Sequence, residues 1–153
     1  MRKLFSVPAI VAVAVALVCA LSATPPSLPV LGQPLPANSG QQLTARRQLQ
    51  QASAIVRQYQ TPRGVTLRAY ATASGTVFGL AWQGITPPDL KSLLGSNYEA
   101  YRKAAASHVR HRGPLTIHVG NLVVQLSGHM RDLRGRAYLI NAIPAPLSAA
   151  VVH

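Results

Sequence analysis

The chain has 153 residues, and its 15 lysines and arginines against three aspartates and glutamates give a net charge of +12. This length is typical of a single domain. The single cysteine excludes a disulfide within the chain, and three acids leave little for catalysis by paired carboxylates. The charge favours an anionic partner, although a merely soluble basic protein has the same composition.

The first 23 residues have the layout of a secretory signal peptide. A positively charged start precedes a nearly continuous apolar run, and small residues follow it, in the order that such signals use. The alternative is a retained membrane anchor. The sequence disfavours it, because the run is shorter than the roughly 20 residues of a span and contains Pro8. We expect cleavage after Ala23, with Ala20 and Ser22 as alternative positions.

Cleavage changes the chemistry of the chain that remains. It removes Cys19, so no thiol is left for catalysis or metal binding. It also removes Arg2 and Lys3, which leaves 13 basic residues against three acids and a net charge of +10. We expect a protein exported through the inner membrane, periplasmic or secreted, with no transmembrane span and no cofactor. The expected partners are an anionic envelope polymer or an acidic protein, and export argues against nucleic acid.

The middle of the chain begins with one weak helix signal and one strong hairpin signal. Residues 41–52 are rich in Gln, Arg and Leu and predict a short helix, and strands are predicted from Ser53 onward. The stretch VTLRAYATASGTVFGLAW predicts a β-hairpin with its turn at Ser74-Gly75, because this register gives one apolar face. The predicted facing pairs are Ala71–Phe78, Ala69–Leu80 and Leu67–Trp82. This register makes Phe78 and Trp82 core residues rather than walls of a ligand groove.

A helical segment is predicted after this hairpin. A Pro-Pro pair precedes Asp89, which is a natural N-cap for a helix over residues 90–94, and Gly95 ends that helix. A second helix is predicted from residue 96 or 97 to about residue 110. Its predicted apolar stripe consists of Tyr98, Tyr101, Ala105 and His108.

The last third of the chain predicts a second hairpin and a final strand. The stretch LTIHVGNLVVQLS turns at Gly120-Asn121 in the register that aligns its apolar residues. The predicted facing pairs are Val119–Leu122, Ile117–Val124 and Leu115–Leu126. Asp132 opens a favourable turn sequence, and the final strand is predicted from Arg136 to about Ile143.

These elements predict an α+β fold with two antiparallel β-hairpin units flanking a helical segment, in a single small domain after a signal peptide. The predicted organisation is a signal peptide at residues 1–23, a Pro-rich linker at 24–40, an α+β domain at 41–144 and a tail at 145–153.

Histidines near the end of the second helix raise the alternative of a metal site. His108 and His111 are three residues apart and can meet on one helix face. However, Arg110 and Arg112 flank them and repel a cation, and basic side chains also suit the negative end of a helix dipole. A small envelope enzyme or metal-binding protein that uses His108, His111 and Asp132 remains the alternative function.

A hydrolase has little support in the sequence. Such an enzyme needs an activated nucleophile with a base and an orienting acid. The chain has no Gly-x-Ser-x-Gly motif, no Gly-rich phosphate loop and no dinucleotide fingerprint. We therefore assign no catalytic residue.

The stretch GHMRDLRGRAYL carries the best candidate for a binding surface. It places four basic side chains within eight residues: His129, Arg131, Arg134 and Arg136. Arginine forks match carboxylates and phosphates, which predicts an anion patch here. The alternative is that these arginines merely protect the edge of a sheet.

Two long stretches carry a family resemblance that covers roughly residues 64–144. VFGLAWQGITPPDLKSLLGSNYEAY and GNLVVQLSGHMRDLRGRAYLINAIP resemble a family of exported Gram-negative bacterial proteins that is catalogued only as a domain of unknown function. Members typically carry Arg-Glu-Tyr where this chain has Arg68-Ala69-Tyr70, and Gly-Pro where it has Gly84-Ile85. The resemblance implies export but transfers no catalytic residue.

The sequence therefore predicts an exported, non-enzymatic binding or accessory protein of the bacterial cell envelope. Its basic, anion-attracting surface follows from the arginine excess.

Overall fold

The computed structural model describes residues 27–36, 42–43, 54–108 and 113–153. Within these residues, seven strands form one antiparallel sheet, and its first strand has only two residues. The strands are β1 (Gln42–Leu43), β2 (Ile55–Gln60), β3 (Thr66–Ala71), β4 (Val77–Gly84), β5 (Leu115–Val119), β6 (Leu122–His129) and β7 (Asp132–Leu139). Their order across the sheet is β1-β2-β3-β4-β7-β6-β5. Helices α1 (Leu90–Leu94) and α2 (Tyr98–Ser107) connect β4 to β5.

The sheet confirms the α+β class but corrects the predicted arrangement. Strands β2 to β4 form one antiparallel meander and β5 to β7 form another, and β7 pairs with β4. The two predicted hairpin units are therefore halves of one continuous sheet and do not flank the helical segment. The helices carry the chain from β4 to the far edge of the sheet, which leaves room for β7 beside β4.

The strand registers follow the predicted apolar pairing, with one shift. All three predicted pairs of β5 and β6 are observed, as are Ala69–Leu80 and Leu67–Trp82. Ala71 lies opposite Val77 instead of Phe78, because the register shifts between Tyr70 and Ala71. The shift moves Phe78 to the other face of the sheet, where it is fully buried.

The two faces of the sheet have separate cores. The face that packs against α1 and α2, here called the helical face, includes Leu67, Leu80 and Trp82. The opposite face packs against residues 144–153, here called the strap, and includes Phe78 and Val123. Both Trp82 and Phe78 are buried, which confirms their predicted place in the core.

Helix α1 begins and ends as the sequence predicts. The Asp89 carboxylate accepts the backbone N–H groups of Lys91 at 3.1 Å and Ser92 at 3.5 Å, and Gly95 ends the helix with φ +54°. Helix α2 ends earlier than predicted, at Ser107.

The predicted stripe of α2 holds for three of its four residues. Tyr101 is buried, and Tyr98 and Ala105 pack beside it against the helical-face core. His108 lies beyond the helix in an extended conformation and is exposed.

Replacing the cap tests its share of the stability. We expect Asp89→Ala to lower the free energy of unfolding at pH 7 by about 1 kcal/mol, since two backbone N–H groups lose their acceptor. The hydrogen bond from the Ser92 side chain lowers the pKa of Asp89 below its usual value. A carboxyl whose pKa is lower in the folded chain than in the unfolded chain stabilises the fold at pH values above its unfolded pKa, near 3.8. This contribution is lost as the pH falls through the folded pKa.

Urea unfolding at pH 7 and pH 3 measures both effects of Asp89. The Asp89→Asn variant is the control, since asparagine caps equally well but does not titrate. Equal stability of Asp89→Ala and the unchanged protein at pH 7 would show that the cap contributes nothing.

The segment before the predicted domain also packs against the sheet, and the start of that domain is extended. Residues 27–36, in the predicted linker, place Leu31 in the helical-face core, where its N–H donates to Leu93 at 2.9 Å. Gln42 and Leu43 pair with β2 as an extended strand instead of forming part of a helix. The predicted signal peptide, cleavage positions and the rest of the 41–52 helix lie outside the described residues.

The strap contains the predicted tail, residues 145–153, and is a part of the core. Val152 is fully buried among Tyr70, Phe78 and Tyr138. A Cβ added at Gly79 would lie 2.6 Å from a methyl group of Val152. The missing side chain at Gly79 therefore makes the space that Val152 fills.

Candidate functional site

The strap covers only part of its face of the sheet and leaves a groove of about 570 Å³ beside it. Residues of β3, β4, β7, β6 and β5 line this groove, and His153 of the strap lines it as well. Its polar lining residues are Thr66, Arg68, Gln83, Thr116, Gln125, Ser127, Arg134 and Arg136. The groove is thus basic and rich in hydrogen-bonding groups.

One row across the sheet forms the centre of the groove. Arg68 on β3 pairs with Ala81 on β4, and Ala81 pairs with Arg136 on β7. Neighbouring strands lie about 4.8 Å apart, so the two arginine backbones are roughly 10 Å apart with a methyl group between them. Ala81 is therefore the floor of a cleft with an arginine on each side.

Neighbouring groups hold both arginines in place. Arg136 donates to the Gln125 side chain at 2.6 Å and to the main-chain oxygen of Val152 at 3.1 Å. Its guanidinium lies 5.9 Å from the centre of the Tyr138 ring, so the two side chains pack against each other. Arg136 thereby connects the groove to the strap.

Arg68 connects the groove to the end of the strap. It donates to the main-chain oxygen of His153 at 3.1 Å and to the Gln58 side chain at 3.4 Å. The Tyr70 hydroxyl also donates to this oxygen of His153. An arginine has five N–H donors, and these contacts use two in Arg68 and two in Arg136. Three donors of each remain for a ligand.

Arg134 lies on the next row of the groove, opposite Gln83, and is already paired. Its guanidinium donates to both carboxylate oxygens of Asp132, at 3.1 and 2.9 Å. Gln83 donates to the same carboxylate at 3.0 Å. These hydrogen bonds, first that of Arg134, lower the pKa of Asp132 below its usual value. Asp132 is therefore charged at neutral pH and offsets the charge of Arg134.

The four predicted patch residues are divided between two places. Arg134 and Arg136 line the groove. His129 is exposed and pairs with Asp132 at the end of the β6–β7 hairpin, and Arg131 lies at its tip with φ +72°. The predicted turn beginning at Asp132 is wrong, since β7 already starts there.

The sequence prediction missed Arg68 as a groove residue. Arg68 is far from the GHMRDLRGRAYL stretch in the chain, and only the β4–β7 pairing brings it beside Arg136. The first hairpin nevertheless contained a signal for the position of Arg68. Its predicted register leaves Arg68 and Tyr70 together on the face opposite Leu67 and Trp82.

The two described residues of the alternative metal or enzyme site, His108 and Asp132, lie on different sides of the sheet. Asp132 binds Arg134 and Gln83 on the strap face, whereas His108 follows α2, which packs on the helical face. His111 lies outside the described residues. In the part of the chain that the structure describes, no three histidine, cysteine or acidic side chains are close enough to hold a metal ion.

The fold and the groove define a small α+β protein with one antiparallel sheet and an arginine-lined polar site. Residues 28–152 match the family DUF2844, which is described as a protein of unknown function. The chain belongs to this family, so the resemblance seen in the sequence is confirmed. Comparisons with curated proteins and with solved structures give no match. Over the described ranges, no helix is both long and apolar enough to cross a membrane.

Proposed function

We propose that this protein is an exported, non-enzymatic binding protein of the bacterial cell envelope, and that its groove binds an anionic group of its partner. The observation that carries the proposal is the row in which Arg68 and Arg136 stand on either side of Ala81. Two forked donors that face a small floor suit a carboxylate or a phosphate. The partner is an anionic envelope polymer or an acidic protein.

The charge distribution supports this proposal. The sequence has only three acids, and each has a local partner: Asp89 caps α1, Glu99 pairs with Arg102 at 2.9 Å, and Asp132 pairs with Arg134. Among the described residues that line the groove there is no aspartate or glutamate, and Asp132 lies beside it, paired with Arg134. Export rests on the layout of residues 1–23.

Titration with two anions tests the groove. We expect Arg68→Gln with Arg136→Gln to weaken binding of hexaglutamate and of tripolyphosphate at least tenfold, because charge-assisted hydrogen bonds contribute about 1.5–3 kcal/mol each. Arg68→Lys with Arg136→Lys keeps the charge and loses the forked donors. Its affinity should therefore lie between those of the unchanged protein and the glutamine double variant. Isothermal titration calorimetry at low and moderate salt measures these affinities.

The matched control is Arg102→Gln with Lys103→Gln, which removes the same charge from exposed positions on α2. An equal loss in this control would mean that net charge binds the anions, and the proposal would fail. Both groove arginines also hold the strap, so Ala81→Leu is a second test. It fills the floor without removing either arginine, and should also weaken binding.

A further inference from the structure

Two of the exposed apolar side chains lie at the same end of the sheet. Among the described residues, three large apolar side chains are exposed: Ile85 at 62%, Met130 at 94% and Ile140 at 48%. Ile85 directly follows β4, and Met130 lies in the β6–β7 turn. Ile140 follows β7 at the opposite end, where its N–H donates to Asn121.

The strand register places Ile85 beside the β6–β7 turn. Gly84 pairs with Leu133, and His129 pairs with Asp132 to close the hairpin. Ile85 is therefore level with Asp132, and the tip of the hairpin extends just beyond it. The end of β4 and this tip form one continuous border of the sheet.

The β2–β3 turn joins the same border. A Cβ added at Gly84 would lie 3.0 Å from Val65 and 3.3 Å from the main-chain oxygen of Gly64. The Thr86 hydroxyl donates to the main-chain oxygen of Arg63 at 3.5 Å. We call this end of the sheet the rim, formed by Arg63, Ile85, Met130 and Arg131.

The rim combines protruding apolar side chains with unneutralised positive charge. Arg63 and Arg131 are exposed, and Asp132, which follows Arg131 in the chain, is already paired with Arg134. Apolar side chains that enter the headgroup region beside arginines are typical of proteins that lie on anionic membranes.

From this combination we propose that the rim docks onto an anionic lipid surface, with Met130 and Ile85 in the headgroup region and Arg63 and Arg131 on lipid phosphates. A second copy fits less well, because a symmetric contact would bring like charges together. A protein interface usually covers about 800 Å² per partner, whereas the rim offers two separate protrusions. The inference concerns a surface distinct from the groove and does not rest on anion binding there.

Vesicle binding tests the rim. Each variant is purified in the form that the expressing cell produces, so that all variants have the same N-terminus. The protein is then sedimented with vesicles of 30% phosphatidylglycerol in phosphatidylcholine, or with vesicles of phosphatidylcholine alone. We expect binding to the anionic vesicles only. Ile85→Ser with Met130→Ser should weaken binding at least tenfold, since both apolar insertions are lost. The Arg63→Gln and Arg131→Asn variants should each weaken binding about fivefold at low salt.

Two controls separate the rim from other surfaces. Ile140→Ser changes the exposed apolar residue at the opposite end and should leave vesicle binding unchanged. Arg102→Gln with Lys103→Gln removes two charges from exposed positions on α2 and should weaken vesicle binding less than twofold. Ile85→Ser with Met130→Ser should leave hexaglutamate binding unchanged, so the two proposals can fail separately. A local probe completes the test: the emission of Met130→Trp should shift to the blue on anionic vesicles, and that of Ile140→Trp should not.

Three results would overturn the inference. One is equal binding to both kinds of vesicle, and another is an equal loss in the Ile140→Ser and rim variants. The third is the absence of binding to either kind of vesicle. Protection of the rim amides by hexaglutamate would in that case assign the rim to an acidic protein.

Discussion

The Gly135→Ala variant is expected to lose about 1–3 kcal/mol of unfolding free energy, as overpacked cores do. Gly135 on β7 lies opposite Trp82 on β4, and the indole ring covers it. A Cβ at this position would lie 2.7 Å from the indole Nε1 and closer still to two ring carbons. Trp82 is buried, so the ring cannot move aside without disturbing the helical-face core. Urea unfolding followed by circular dichroism measures the loss.

The double variant with Trp82→Leu is the control for this clash. In that background the added methyl group has room, so Gly135→Ala should cost little or should even stabilise, because alanine in a strand avoids the entropic cost of glycine. A cost that stays the same in both backgrounds would locate the effect in the backbone, and contact with Trp82 would not be its cause.

The second large effect concerns the strap. Gly79→Ala should lower the free energy of unfolding by about 1–3 kcal/mol, because its Cβ collides with the fully buried Val152. The amide protons of Val151 and Val152, which donate within the strap, should exchange faster. Hydrogen exchange read by mass spectrometry, together with urea unfolding, checks both expectations.

Val152→Ala completes a double-mutant cycle with Gly79→Ala at this contact. Alone, this substitution removes two methyl groups and should lower the free energy of unfolding by about 1.6 kcal/mol for lost burial. The cavity that it leaves should lower it further. In the double variant the new methyl group of residue 79 occupies part of that cavity, so the combined cost should be smaller than the sum of the two. Strictly additive costs would mean that the strap does not depend on this contact.

Local patterns in the sequence determine the paired strands of each hairpin. Five of the six predicted apolar pairs are observed, because a slip by one residue turns a whole apolar face towards water. The sixth pair fails at a β-bulge beside Ala71, which alternation alone does not reveal. The cap at Asp89 follows equally directly, since it depends on residues within one helical turn.

Only the tertiary structure decides the groove and the strap. A period of two assigns a side chain to a face of its strand but does not say which strand lies beside it. Arg68 and Arg136 meet across Ala81 because β7 returns from the far edge of the sheet to pair with β4. Residues 145–153 have little periodicity of their own. They become part of the core because Gly79 leaves a space that Val152 fills and because both arginines hold the strap by its main-chain oxygens. The sequence by itself determined the family, the fold class and the basic character of the protein, whereas long-range strand pairing placed the arginines in one site.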